Sequence, residues 1–265
     1  MVTIEDPLTD PPPPEVPLSR APLVRVIAQI VFPEVLSITK RDFVASFQEA
    51  LRSSYPKLKH GQTQEIVFGP SGAISSKAES VWRFADNSNS WTISLASNFL
   101  AIETTSYTSR SDFLERFRVA LVALQEHINP SEISRLGIRY IDRIEGDAMN
   151  DIRSLVREEV SGIAGLPAAE SATIAVTESH FQLSEGTLIC RWGQFAKNVT
   201  YDPSTIEPID QLSWILDIDM SSTSPSELIV DEVVNRSESF AERIYTFFRW
   251  AVRDAFLVRY GGIIA

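Results

Sequence analysis

The chain is 265 residues long, 44% apolar and 22% charged, with 24 lysines and arginines against 35 acids and a net charge of −11 at pH 7. So apolar a chain is not disordered, and its length suits one large domain or two halves sharing a core. The negative balance argues against nucleic-acid binding by the surface at large, because phosphate is repelled at long range. No apolar run reaches the ~20 residues that a membrane-spanning helix needs. The lone Cys190 cannot form an internal disulfide, and the opening MVTIEDPLTDPPPPEVPLSR lacks the apolar stretch of a secretory signal. The expected setting is therefore the reducing cytoplasm, away from any membrane.

Residues 1–20 carry prolines at 7, 11–14 and 17. Such a stretch favours polyproline II and cannot join a central strand, since proline lacks the ladder donor. It reads as a proline-rich flexible tail, the alternative being a segment that docks in a partner's groove. Leu23 to Phe32 is rich in β-branched residues and reads as a long buried strand ended by Pro33. Thr39-Lys40-Arg41-Asp42 is a variant capping box. Phe43, Phe47, Ala50 and Leu51 follow along one helical face, which Pro56 stops. Strands are expected at 65–68, 80–84, 91–95 and 99–105, with the turn chemistry of Asp86 to Ser90 making the second and third a hairpin. A second helix opens at Ser109-Arg110-Ser111-Asp112, buries Phe113, Phe117, Ala120, Leu121, Leu124 and Ile128, and stops at Pro130.

Residues 42–51 and 112–121 both fit D-F-x-x-x-F-x-x-A-L. This repeat suggests one unit used twice, each helix laying its apolar stripe on a sheet. Beyond Pro130 the order recurs: a strand at 133–144, a short helix at 151–160, a loop at 162–169, and strands at 172–183, 187–196 and 212–220. Residues 226–258 then form a long helical stretch broken near Asn235, before the apolar segment 261–265. The expected fold is α+β, an antiparallel sheet with helices packed on one face. Its domains are the tail 1–20, a first half 21–130, and a second half 131–265 sharing the core.

Enzyme motifs are not found. There is no phosphate loop, no dinucleotide fingerprint and no nucleophile elbow. His60, His127 and His180 lack second ligands at metal spacing, and Cys190 lies in an apolar run where a buried, inert thiol is expected. No catalytic residue, metal or cofactor is assigned. The strand from Arg135 to Ile144 is more informative, since alternation places Arg135, Arg139 and Arg143 on one face with Gly137 between the first two. Tyr140 and Asp142 lie on the other face, where a carboxylate needs a partner. Arginines four residues apart are separated by about 13 Å along a strand, too far to clamp one carboxylate together. They suit an extended anionic ligand or an acidic partner segment, with Gly137 allowing close approach. The competing reading pairs each arginine with an acid on a neighbouring strand. Of the five tryptophans, Trp82, Trp91, Trp192 and Trp214 fall in strands and Trp250 in the last helix, where core packing is expected.

The run Arg135, Gly137, Arg139 and Tyr140, its place after an F-x-x-x-F helix, the early Pro22-Leu23-Val24, and Trp82-Arg83-Phe84 resemble a sporadically distributed family of bacterial proteins of this length. The resemblance covers 22–260. It implies a bacterial cytosolic protein and supplies no catalytic residues to carry over. The family's patchy distribution implies a defence-associated or toxin-neutralising role. On these grounds the expected function is non-enzymatic binding of a protein partner, and self-association is compatible with it. The alternatives are a sensor or enzyme for a small anion held by the arginine row, and a single-stranded nucleic-acid binder.

Overall fold

The computed structural model describes residues 4–69 and 72–264, and the side chains of these except 62–79. Residues 1–3 of the expected tail and Ala265 lie outside the described residues. The elements are β1 (Leu23–Val31), α1 (Arg41–Leu51), β2 (Lys57–Gly69), β3 (Gly72–Ala85), β4 (Trp91–Ala96), β5 (Phe99–Thr104), α2 (Arg110–His127) and β6 (Arg135–Glu145). They continue with α3 (Ile152–Leu155), α4 (Glu158–Ser161), β7 (Ile174–Gln182), β8 (Thr187–Phe195), β9 (Ser213–Ser222), α5 (Val230–Ala251) and α6 (Asp254–Arg259). The strands form an antiparallel nine-stranded sheet in the order β2-β3-β4-β5-β1-β6-β9-β8-β7, an α+β fold.

The chain divides differently from the expected halves 21–130 and 131–265. Among the described residues one compact unit lies within 27–137 and 223–238, and the other within 4–26, 138–222 and 239–264. Three of the four boundaries fall inside β1, β6 and α5, and the fourth follows the end of β9, so cuts between elements could not have revealed the whole division.

In the first unit, α1 sets Phe47 edge-on to Phe84 of β3 at 5.4 Å, and α2 brings Phe113 to Trp91 of β4 at 5.8 Å. Both copies of the repeated pattern therefore lie in the same unit, where α1 packs on α2. They are not used alike. Ser109 caps α2 by accepting from Asp112 N at 3.1 Å, whereas Thr39 donates to the Leu36 carbonyl at 2.8 Å and leaves α1 without a side-chain cap. Helix α1 also turns Val44 rather than Phe43 inward; Phe43 is 37% exposed while its counterpart Phe113 is fully buried.

In the second unit, Phe247 of α5 packs on Phe181 of β7 and Trp192 of β8, with ring centroids 6.1 and 6.3 Å away. Helix α5 runs straight through Asn235 and ends only at Ala251. The expected break moves there because the backbone is diverted: Arg253 N donates to Leu155 O at 2.8 Å, and Arg157 N to Ala251 O at 2.9 Å. The same exchange, with Val156 bridging Val252, splits the expected helix 151–160 into α3 and α4. Nor is the N-terminal segment a free tail. Ile4 is 5% exposed and Pro13 is buried, and Val16 N donates to the Tyr245 hydroxyl at 2.8 Å.

Candidate functional site

Strand alternation does place Arg139 and Arg143 on the face of the second unit away from α5, and each meets the long loop between β8 and β9. Arg139 Nε and Nη2 donate to the two oxygens of Asp217 on β9 at 2.7 and 2.8 Å, a bidentate pair. Its Nη1 donates to Asp202 of the loop at 3.0 Å. The Tyr201 hydroxyl donates to the same Asp217 carboxylate. Arg143 Nη2 donates to the Glu207 carbonyl further along the loop. Between these anchors Ile206 of the loop joins Ile141, Phe195 and Ile215 in a buried apolar cluster, with Val24, Val199 and Tyr201 packed against it. The loop thus covers this face, pinned by two arginines of the row.

The pairing continues across the strands. Arg191 of β8 stands opposite Asp217 in register and Glu178 of β7 opposite Arg191. Arg191 Nη1 lies 3.5 Å from Asp217, and its Nε donates to Glu178. Glu178 in turn meets the His180 ring. The result is a ladder of alternating sign, Arg139, Asp217, Arg191, Glu178, running from the buried centre to the sheet edge. Burial alone would lower the pKa of Arg139, but the hydrogen bonds and charge of Asp217, with Asp202 behind, hold it above the usual arginine range. Burial and the neighbouring Asp217 carboxylate push the Tyr201 phenol up. The hydrogen bond from His180 and the charge of Arg191 hold Glu178 below the usual carboxylate range despite its desolvation. A network of this kind fixes the loop in one arrangement more than it adds net stability.

Arg135 belongs to the other unit, where its Nη1 donates to Gln29 of β1 at 3.0 Å. Its guanidinium lies along its own strand. A Cβ on Gly137 would come within 2.8 Å of Nη1 and Nη2, so the space Gly137 opens is taken by Arg135 and not by an incoming ligand. Tyr140 is half-buried on the opposite face. Asp142, also on that face, is 7% exposed, and no hydrogen bond from a described side chain reaches it; burial raises its pKa to about 7.

Asp217, Tyr201, Asp202 and Glu178 are absent from the residues singled out in the sequence. The available signal was Asp217 itself, an acid inside the apolar run Trp214-Ile215-Leu216-Asp217-Ile218, which has to find a cation. Cys190 is buried, and that burial, with Asp217 nearby, raises its thiol pKa. Among the described residues no group of three or more His, Cys, Asp and Glu side chains is arranged to hold a metal ion, and no helix is long and apolar enough to cross a membrane.

The remaining feature of this face is its rim. Among the described residues β7 ends the sheet and pairs with β8 alone. On the ladder's face it presents Ile174 and Val176, 47% and 38% exposed. Val176 stands opposite Gly193, where a Cβ would come within 2.0 Å of the Ala175 carbonyl, so β7 lies closely against β8 there. Along Ile174–Gln182 there is neither a proline nor a lysine, the residues that commonly block an edge from further pairing. No protein-family model matches the chain, and no curated protein matches it either.

Proposed function

We propose that this is a non-enzymatic binding protein that takes a protein partner at the β7 edge, an extended segment of the partner adding as a further strand. The carrying observation is the edge itself: nine residues, about 30 Å of strand, with Ile174 and Val176 exposed on alternate positions and neither proline nor lysine along it. Main-chain hydrogen bonds would supply affinity in such a complex, and the alternate side chains would supply register. The arginine row favours this reading over a small-anion site, because Arg139 is already neutralised by Asp217 and Asp202. The acidic surface would speed encounter with a basic partner.

The test is native mass spectrometry of the tagged full chain, purified gently from its own host, beside an Ile174→Lys/Val176→Lys variant. A stoichiometric heterocomplex is expected for the unaltered chain, lost in the variant with its melting temperature unchanged. A single species under every native condition would overturn the reading.

A further inference from the structure

The proline-rich segment is held by a surface whose chemistry suits prolines in general. A run such as Pro11 to Pro14 has no backbone N–H, so its carbonyls are the main-chain groups left to recognise, and the chain is confined to an extended, pre-ordered form. Helix α5 meets it with donors. The Tyr245 hydroxyl accepts from Val16 N at 2.8 Å and donates to Pro14 O at 3.4 Å. Arg249 Nη1 donates to the same carbonyl at 3.3 Å, and Arg243 Nη1 to Pro7 O and Asp10 O at 3.4 and 3.2 Å. The Tyr245 ring stacks near Phe248 at 6.1 Å, and the Arg249 guanidinium lies 5.9 Å over Tyr245. Past the run, Val16 and Leu18 reach Gly262, where a Cβ would come within 2.9 Å of each. An aromatic and arginine-lined groove reading carbonyls of a Pro14-x-x-Pro17 segment is the arrangement by which proteins recognise polyproline helices.

Two observations show that the resident segment fills this groove without exhausting it. The bonds to its carbonyls are long, 3.2 to 3.5 Å, including that from Arg157 to Ile4 O, and Pro11, Pro12, Pro14 and Pro17 remain exposed. Among the described residues no acceptor meets the buried Arg249 Nε, so the arginine beside the segment keeps an unused donor. The hydrogen bonds that α5 donates to this segment all end on backbone carbonyls, of Pro7, Asp10 and Pro14, groups that any proline-rich segment presents.

We infer that the outer face of α5 is a polyproline-recognition groove, closed in the free protein by residues 4–18, and that it accepts a proline-rich segment of a partner in their place. The resident segment acts as an intramolecular competitor and lowers the apparent affinity by the fraction of time the groove is closed. This surface is distinct from the β7 edge and does not depend on it.

The probe is a fluorescein-labelled peptide with the sequence of residues 4–20, titrated by anisotropy into the full chain and into a full-chain Pro13→Asp/Val16→Asp variant that loosens the resident segment. The loosened chain is expected to bind at least tenfold more tightly than the unaltered chain. That binding is expected to vanish on adding Tyr245→Phe and Arg249→Met, or when Pro11 to Pro14 of the peptide are replaced by serine. Failure of the loosened chain to bind while its circular dichroism and melting show it folded would overturn the inference, as would binding that survives the groove substitutions. Should the loosened chain not fold, the same peptide carrying a photo-crosslinker at Pro12 is applied in excess to the unaltered chain. A crosslink within residues 239–251 is the expected result, and its absence counts against the groove.

Discussion

Two aspartates of the second unit are buried, one on each face of the sheet, and the protein treats them in opposite ways. Asp217 is fully enclosed yet accepts from Arg139, Tyr201 and, more distantly, Arg191. Asp142 is enclosed with no such partner among the described residues, and burial raises its pKa to about 7. The difference teaches what the buried charge is for in each place. Around Asp217, ionisation is part of the architecture and the β8–β9 loop is built on it. Around Asp142, ionisation is a cost that the fold tolerates.

The contrast is sharpest under substitution. Asp217→Asn leaves Arg139 buried with only Asp202 for a counter-charge, and removing one member of a buried pair typically costs about 3–5 kcal/mol. Urea unfolding should show a loss of that size, with proteolytic cleavage appearing between Ala196 and Leu212 as the loop is released; a change below 1 kcal/mol would mean the ladder is not structural.

Asp142→Asn should act in the other direction, and only at higher pH. The folded pKa of about 7 stands above the ordinary 3.8. Between those values the folded state therefore binds more protons than the unfolded one, and stability falls as pH rises. The penalty begins to build above pH 4 and is complete once pH passes 7. The variant should gain of the order of 2–4 kcal/mol over the unaltered chain at pH 8, with the gap closing toward pH 4. Melting curves of both chains across that range check this, and a gap independent of pH would place the effect elsewhere.

The smallest effect is expected at the outer end of the ladder. Glu178 is 44% exposed, where water screens its pairing with Arg191, so Glu178→Gln should change stability by no more than about 0.5 kcal/mol. A double-mutant cycle with Arg191→Met would read the coupling directly.

Periodicity was enough to locate most of the strands and the second helix, because alternation and the 3.6-residue stripe are local consequences of burying one face. It also placed Arg139 and Arg143 on a common face with Gly137 and Arg135. Shared pattern did not mean shared environment, however. Phe43 and Phe113 occupy the same position in one motif, yet α1 lacks a side-chain cap and turns Val44 inward, while α2 is capped and buries Phe113.

What the amino-acid sequence by itself determined, then, was the α+β class, the antiparallel strands and the face on which each arginine of β6 stands. These follow from residue-by-residue propensity and from the sign of each side chain's preference for water. Tertiary structure alone decided which acid meets which arginine, that α5 ends at Ala251 rather than Asn235, and that the prolines lie on a helix 230 residues away along the chain. Each depends on groups distant in sequence arriving together to satisfy a buried charge, an orphan carbonyl or a diverted backbone, and no local window contains both partners.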